Sequence, residues 1–288
     1  MVKYISFSFL FLIFFNGFSQ ETENEKVDEI VDAILAENLI LENELEKLGS
    51  FKIINISLDY NSNTYFSGRD IGVDQYNIAP QITYATSGGF YTGLAGNYYG
   101  EFEPHWDVTI GFIGFGKSVG KHKNFNYQFG YSKFFFNEKE DAIYSNTLDF
   151  GFGVKTNNAD FGTKVTASYI FGDEKAFQFV SSTFGLVKIA KSKSVIISFK
   201  PQLNFIVANQ IIDIWRIVLI RDLPRIIYEP KEVFDLVNTQ LLIPLEVSIK
   251  NFQFEIGYIQ NFPNAFEGEN NVSAKGLFNF STSYYFNF

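Results

Sequence analysis

From Phe51 onward, apolar and polar residues alternate with a period of two in stretch after stretch, the spacing of a strand with one oily face and one polar face. In Lys52 to Tyr60, Ile54, Ile56, Leu58 and Tyr60 fall on one side and Asn55, Ser57 and Asp59 on the other. Phe125, Tyr127, Phe129 and Tyr131 oppose Asn126, Gln128, Gly130 and Ser132 in the same way, and Leu148, Phe150 and Phe152 oppose Thr147, Asp149, Gly151 and Gly153. Clusters of Gly, Asn, Asp and Ser separate the stretches and mark turns. The pattern predicts about twelve strands, with ten or fourteen as the alternatives, an even number being usual for barrels that cross a membrane.

Two segments precede this region and differ from it. Residues 1 to 19 have the build of a secretory signal: Lys3 gives a positive start, Ile5 to Phe15 a short apolar run, and Gly17 and Ser19 flank a cut before Gln20. The apolar run is shorter than the roughly 20 residues of a spanning helix, so cleavage is expected rather than anchoring. In Glu21 to Leu48 the apolar residues Val27, Ile30, Val31, Ile34, Leu35, Leu41, Leu45 and Leu48 follow helical spacing, and Gly49 stands where a helix C-cap belongs. The expected organisation is a signal peptide (1–19), an amphipathic helix in the periplasm or the lumen (20–50), and a barrel (51–288).

Composition selects a membrane barrel over a soluble sheet. Hydrophobic residues make up 46% of the chain and aromatics 18%, with 35 Phe and 16 Tyr, yet mean hydropathy is zero. Apolar and polar residues must therefore be finely interleaved. One strand face is rich in aromatics and nearly free of charge, and the other is Gly, Ser, Asn, Gln and Thr. A charge on a lipid-facing position near the bilayer centre costs about 2–4 kcal/mol, a penalty that a solvated sheet does not carry. The expected fold is all-β: a transmembrane, antiparallel, up-and-down β-barrel.

Connection lengths give an independent check, because such barrels put short turns in the periplasm and longer loops outside. With a periplasmic start, the turns are Ser87-Gly88-Gly89, Ser118 to Lys123, Thr156 to Asp160, Ala190 to Lys193 and Lys250-Asn251. The three longest gaps, Asn61 to Asp74, Asn209 to Val233 and Pro263 to Lys275, all fall at the other end.

Phe288 ends the sequence, with Phe286, Tyr284 and Phe280 sharing its face and Thr282 departing from the aromatic run. This resembles the terminal signature that the barrel-assembly machinery recognises in outer-membrane proteins of Gram-negative bacteria. The signal ending in Phe18-Ser19 before Gln20, together with Ser87 to Tyr99 (SGGFYTGLAGNYY) and Phe234 to Pro244 (FDLVNTQLLIP), resembles an uncharacterised family of Bacteroidota outer-membrane β-barrels. The resemblance implies a location in the outer membrane, contact with its lipid, and the assembly machinery as a partner. It implies no activity.

The formal net charge of -9 argues against nucleic acid, which calls for clustered Lys and Arg. With no cysteine there is no disulfide, thiolate metal site or lipid-modified Cys. Of the two histidines, His105 stands near Glu101, Glu103 and Asp107 at a strand end and His122 between lysines in a turn. Neither has a recognisable serine partner, so no catalytic, cofactor or metal site is expected and no enzyme. Gly111 to Gly116 has no phosphate-loop spacing, and its glycines are expected to serve close packing.

Asp59, Asp107, Asp149, Lys155, Lys164, Lys200, Glu246 and Glu255 are expected to face the lumen, paired across both signs. Ile211 to Ile220 is apolar on both parities. It is expected to extend a hairpin, fold back into the mouth, or dock a protein partner. The leading functional expectation is a structural or accessory outer-membrane barrel working through its outer loops or its helix. A small-solute channel or porin gated by the N-terminal helix is the alternative, and a lipid-modifying enzyme centred on His105 the weaker one.

Overall fold

The computed structural model describes residues 52–66, 69–70, 73–137, 144–192, 194–220, 223–266 and 272–287. The signal, the N-terminal amphipathic segment and Phe288 lie outside them.

Twelve antiparallel staves close on themselves. They are β1 (Lys52–Asn61), β4 (Asn77–Thr86), β5 (Phe90–Tyr99), β6 (Trp106–Val119), β7 (Phe125–Phe136), β8 (Tyr144–Lys155) and β9 (Phe161–Gly172), then β10 (Lys175–Gly185), β13 (Gln202–Ile220), β14 (Leu223–Ile249), β15 (Phe252–Pro263) and β16 (Lys275–Asn287). Each pairs with its sequence neighbour, and β1 closes the ring against β16 from Ile53↔Asn287 to Asn61↔Asn279. A small hairpin, β2 (Tyr65–Phe66) with β3 (Arg69–Asp70), decorates the β1–β4 connection. β11 (Val187–Lys191) and β12 (Val195–Phe199) continue β10 and β13 at the end that holds Lys52 and Asn287, where β12 still pairs with β14 while the outer edge of β11 is the margin of the sheet.

Full closure removes the unpaired backbone that an open sheet would present to lipid, where each unsatisfied N–H or C=O costs several kcal/mol. The side chains then sort by parity. Ile56, Leu58, Phe129, Phe150, Phe179, Ile256 and Phe280 are among many large apolar residues exposed on the outer face. Their chain neighbours Ser57, Asp149, Gln128, Gln178 and Ser281 have the opposite parity and point inward.

All five turns expected at one end are found there, although Ser118 and Ala190 belong to the adjoining strands. The other end carries the longer connections, with two exceptions: Asp173-Glu174 joins β9 to β10 in a tight turn, and two residues separate the end of β13 from the start of β14. The largest gap in the sequence pattern, Asn209 to Val233, is strand over residues 209–220 and 223–233. β13 and β14 stay paired from Asn209↔Phe234 to Ile220↔Leu223, well past the last β10 partner at Ala208. This ladder of twelve residues a side spans roughly 40 Å at strand rise.

Candidate lumen and its two mouths

The inner wall is built in two ways. On β5–β10, large inward side chains lie flat across glycines of the next strand. Tyr91 covers Gly114 and Gly130, so that a Cβ at Gly114 would stand 2.2 Å from the Tyr91 ring and 2.7 Å from the Phe129 carbonyl. Gln128 lies over Gly151, Asn126 over Gly153 and the Phe184 ring over Gly162, each within 2.7 Å of where a Cβ would be. Close packing is thus the role of Gly114 in the Gly111 to Gly116 run. Without those glycines the side chains would have to point toward the axis.

On β13–β16 and β1 the wall is laced by amides. Gln202 donates to Asn204 (2.8 Å), Asn204 to Gln240 (2.9 Å), and both Gln240 (3.0 Å) and Asn238 (2.9 Å) to the Asn261 side-chain oxygen. Across the closure, Asn279 donates to Asn61 and Asn61 to Asn77, each at 3.0 Å. Amides suit this because each offers both donor and acceptor without charge, although the Asn238 side-chain oxygen and the Asn261 side-chain nitrogen are buried without a hydrogen-bond partner.

Ionisable groups are sparse and mixed in sign. Asp59, Asp149, Lys155, Lys164, Lys200, Glu246 and Glu255 share the inward parity, as the alternation implies. Asp107 is the residue skipped at the β5–β6 bulge, between Asn97↔Val108 and Tyr98↔Trp106. Ser168 donates to Asp149 at 2.5 Å, Lys164 to Gln128 at 2.8 Å and Ser198 to the buried Glu246 at 3.3 Å, and the Lys200 ammonium stands 5.3 Å from the Phe184 ring centre. Such contacts hold charges that would otherwise be costly to enclose.

At the end opposite Lys52 and Asn287, polar links order the loops. Thr64 and Gln75 are buried: Thr64 donates to the Gln75 carbonyl (3.0 Å), and the Gln75 side-chain oxygen accepts from the backbone N–H groups of Glu101 (3.1 Å) and Phe102 (3.2 Å). This ties the β1–β4 connection to the β5–β6 loop. On the far side of the mouth, a bulge between Ile206↔Asn238 and Val207↔Leu236 leaves Val237 unpaired, and Phe266 packs against Val237 and Ala208. The loop after β15 therefore turns in over the wall. Nothing local in the sequence marks this contact, which depends on the register of two other strands.

His105 belongs to a row of rings at the same end: Tyr60 stacks on Tyr76 (6.0 Å), Tyr76 on Tyr98 (6.5 Å), and Tyr98 lies against His105 (5.3 Å). Its Nδ1 is 3.1 Å from the Tyr99 carbonyl. An aromatic belt of this kind suits the boundary between lipid and water. Glu101, Glu103 and His105 are exposed beside it, and among the described residues no group of three His, Cys, Asp or Glu side chains could hold a metal. His122 is exposed in the β6–β7 turn, at the opposite end from His105.

No protein-family model and no curated protein matches the chain. Among solved structures, the KdgM porin is similar at a TM-score of 0.46 and 8% identity, over 81% of this chain and 98% of that one. The NanC porin follows at 0.44 and 9%, over 80% and 98%. LpxR from Salmonella typhimurium stands at 0.41 and 7%, over 81% and 100%. At these identities the likeness is one of barrel form.

Proposed function

We propose that this chain is an integral outer-membrane barrel, exported by a cleaved signal, with both termini in the periplasm and a lumen that passes small, uncharged polar solutes. The observation that carries the reading is the sorting of side chains by parity: exposed Phe, Ile and Leu around the whole outer face, and amides, hydroxyls and glycines around the inner one. Lipid accepts the first set and excludes the second.

Passage is supported by the inner wall at mid-height. Ser57, Gln81, Gln128, Gln178, Gln240 and Ser281 remain partly exposed there, which a packed core would not allow. The wall offers hydrogen bonds without a ring of one charge, so it suits neutral hydroxylated solutes better than ions of either sign. Conductance in planar bilayers and solute-driven swelling of proteoliposomes test this. The expected result is uptake of small sugars with little preference between cations and anions, and sealed liposomes would overturn it.

A second reading is favoured by one feature, the β13–β14 ladder that runs on past its neighbours. It would make the barrel an accessory protein that works through its outer end, and sealed liposomes would leave this reading standing. Both are non-enzymatic. A His105→Ala variant that lost a lipid-hydrolysing activity shown by the native protein would contradict that.

A further inference from the structure

The two mouths of the barrel carry opposite charge. At the end that holds Lys52 and Asn287, Lys121 and Lys123 sit in the β6–β7 turn, Lys188 and Lys191 on β11, and Lys250 in the β14–β15 turn. All are exposed except Lys123, which is half-buried, and Asp160 is exposed among them. The register shift between Lys188 and Ala190 leaves Lys188 opposite Ser198 and Lys191 opposite Ile196. Ser198 and Ile196 are buried on the inner face, where their β14 partners are the buried Glu246 and Ser248. Lys188 and Lys191 therefore both have the parity of the lumen.

The opposite mouth is acidic. Asp74, Glu101, Glu103, Asp173 and Glu174 are exposed there, with Lys175 among them. Several of these acids sit on segments that are held in place: Asn63 donates to Asp74 (2.8 Å), Tyr144 donates to Glu174 (3.3 Å), and the Gln75 side chain accepts from the Glu101 backbone N–H (3.1 Å). The negative charge is thus built into the mouth.

We propose that the two mouths act as opposite charge filters in series, the acidic one holding back anions and the basic one holding back cations, while net-neutral solutes meet neither barrier. Twelve tilted strands enclose a mouth of about 24 Å across their backbones. The screening length in 0.1 M salt is about 10 Å, so the wall charges reach most of that opening. An ion drawn in by one mouth is opposed at the other, and the two barriers add rather than cancel. The inference deepens the open-lumen reading above and rests on it: the amide-lined wall accepts polar solutes, and the mouths exclude salt.

A salt gradient across a planar bilayer that holds the full-length protein tests this. With about 0.1 M KCl against about 0.01 M, the filter on the dilute side is the less screened, at about 30 Å, and dominates. Potassium is expected to be preferred when the acidic mouth faces the dilute side, and chloride when the gradient is swapped. In salt of about 1 M and above on both sides, where the screening length is about 3 Å or less, neither ion is expected to be preferred. Changing Lys121, Lys188, Lys191 and Lys250 all to Glu makes both mouths acidic. Potassium is then expected to be preferred in both directions, by about threefold or more.

Retention of the heat-dependent gel shift verifies the barrel of that variant, and the swap in the native channel decides the matter without it. A native channel that prefers the same ion in both directions, or none, overturns the two filters. So does an intact variant that still changes its preferred ion with the gradient. Neither result touches the open lumen. Absence of both conductance and sugar-driven swelling overturns the open-lumen reading, and the filters with it.

Discussion

The two sectors of the inner wall solve the same problem by different means. On β5–β10 the wall is thin: Tyr91, Gln128, Asn126 and Phe184 lie down over Gly114, Gly151, Gly153 and Gly162. On β13–β16 the amides stand and bond one another, and that sector also carries the Val237 bulge and the inward-turned Phe266. The difference teaches that lumen width is set sector by sector. The glycine sector yields space at the axis, and the amide sector supplies rigidity and narrows the outer mouth.

The largest effect is expected where one acceptor serves two donors. Asn261→Leu would strand the amide donor of Asn238 in a wall where Asn238 and Asn261 are both fully buried, whereas the half-buried Gln240 can turn to the lumen. An orphaned buried donor costs about 1–3 kcal/mol. Urea titration in lipid vesicles should register the loss, and an unchanged midpoint would mean that the amide lacing contributes nothing.

In the glycine sector, Gly114→Ala meets both the Tyr91 ring and the Phe129 carbonyl, and overpacking of this kind costs about 1–3 kcal/mol. Driving Tyr91 toward the axis should also lower conductance, and pairing the change with Tyr91→Ala should restore it. A Gly114→Ala variant with native conductance would show that Tyr91 does not line the path. Gly153→Ala should cost less than either, because the contact there is the end of the Asn126 amide, which can swing away. A functional effect is expected of Phe266→Ala: it removes the buried ring over Ala208 and Val237, and the conductance of single channels should rise.

Much of this was legible in the chain. The alternation in Lys52 to Tyr60 or Phe125 to Tyr131 predicts both the strand and its orientation, because lipid imposes a strict period. The five turns with Gly, Asn, Asp or Ser at their centres predict which connections share an end. The β13–β14 ladder was less legible, since Ile211 to Ile220 is apolar on both parities and loses the period of two that marks a strand with one oily face. The outer mouth was not legible at all. Val237 is unpaired because of a register shift against β13, and the Gln75 side chain binds a loop twenty-six residues away. Such contacts arise from which strands become neighbours and not from any local pattern. The lumenal charges were legible as a set but not as partners, for the same reason.

The central claim is that the chain closes as a barrel within the outer membrane. Its most direct test is to isolate outer membranes from cells producing the full-length protein and compare gel migration before and after boiling. The account predicts that the protein fractionates with those membranes and shifts on boiling, as a closed barrel unfolds. A protein recovered soluble from the periplasm, with the same migration in both lanes, would contradict it.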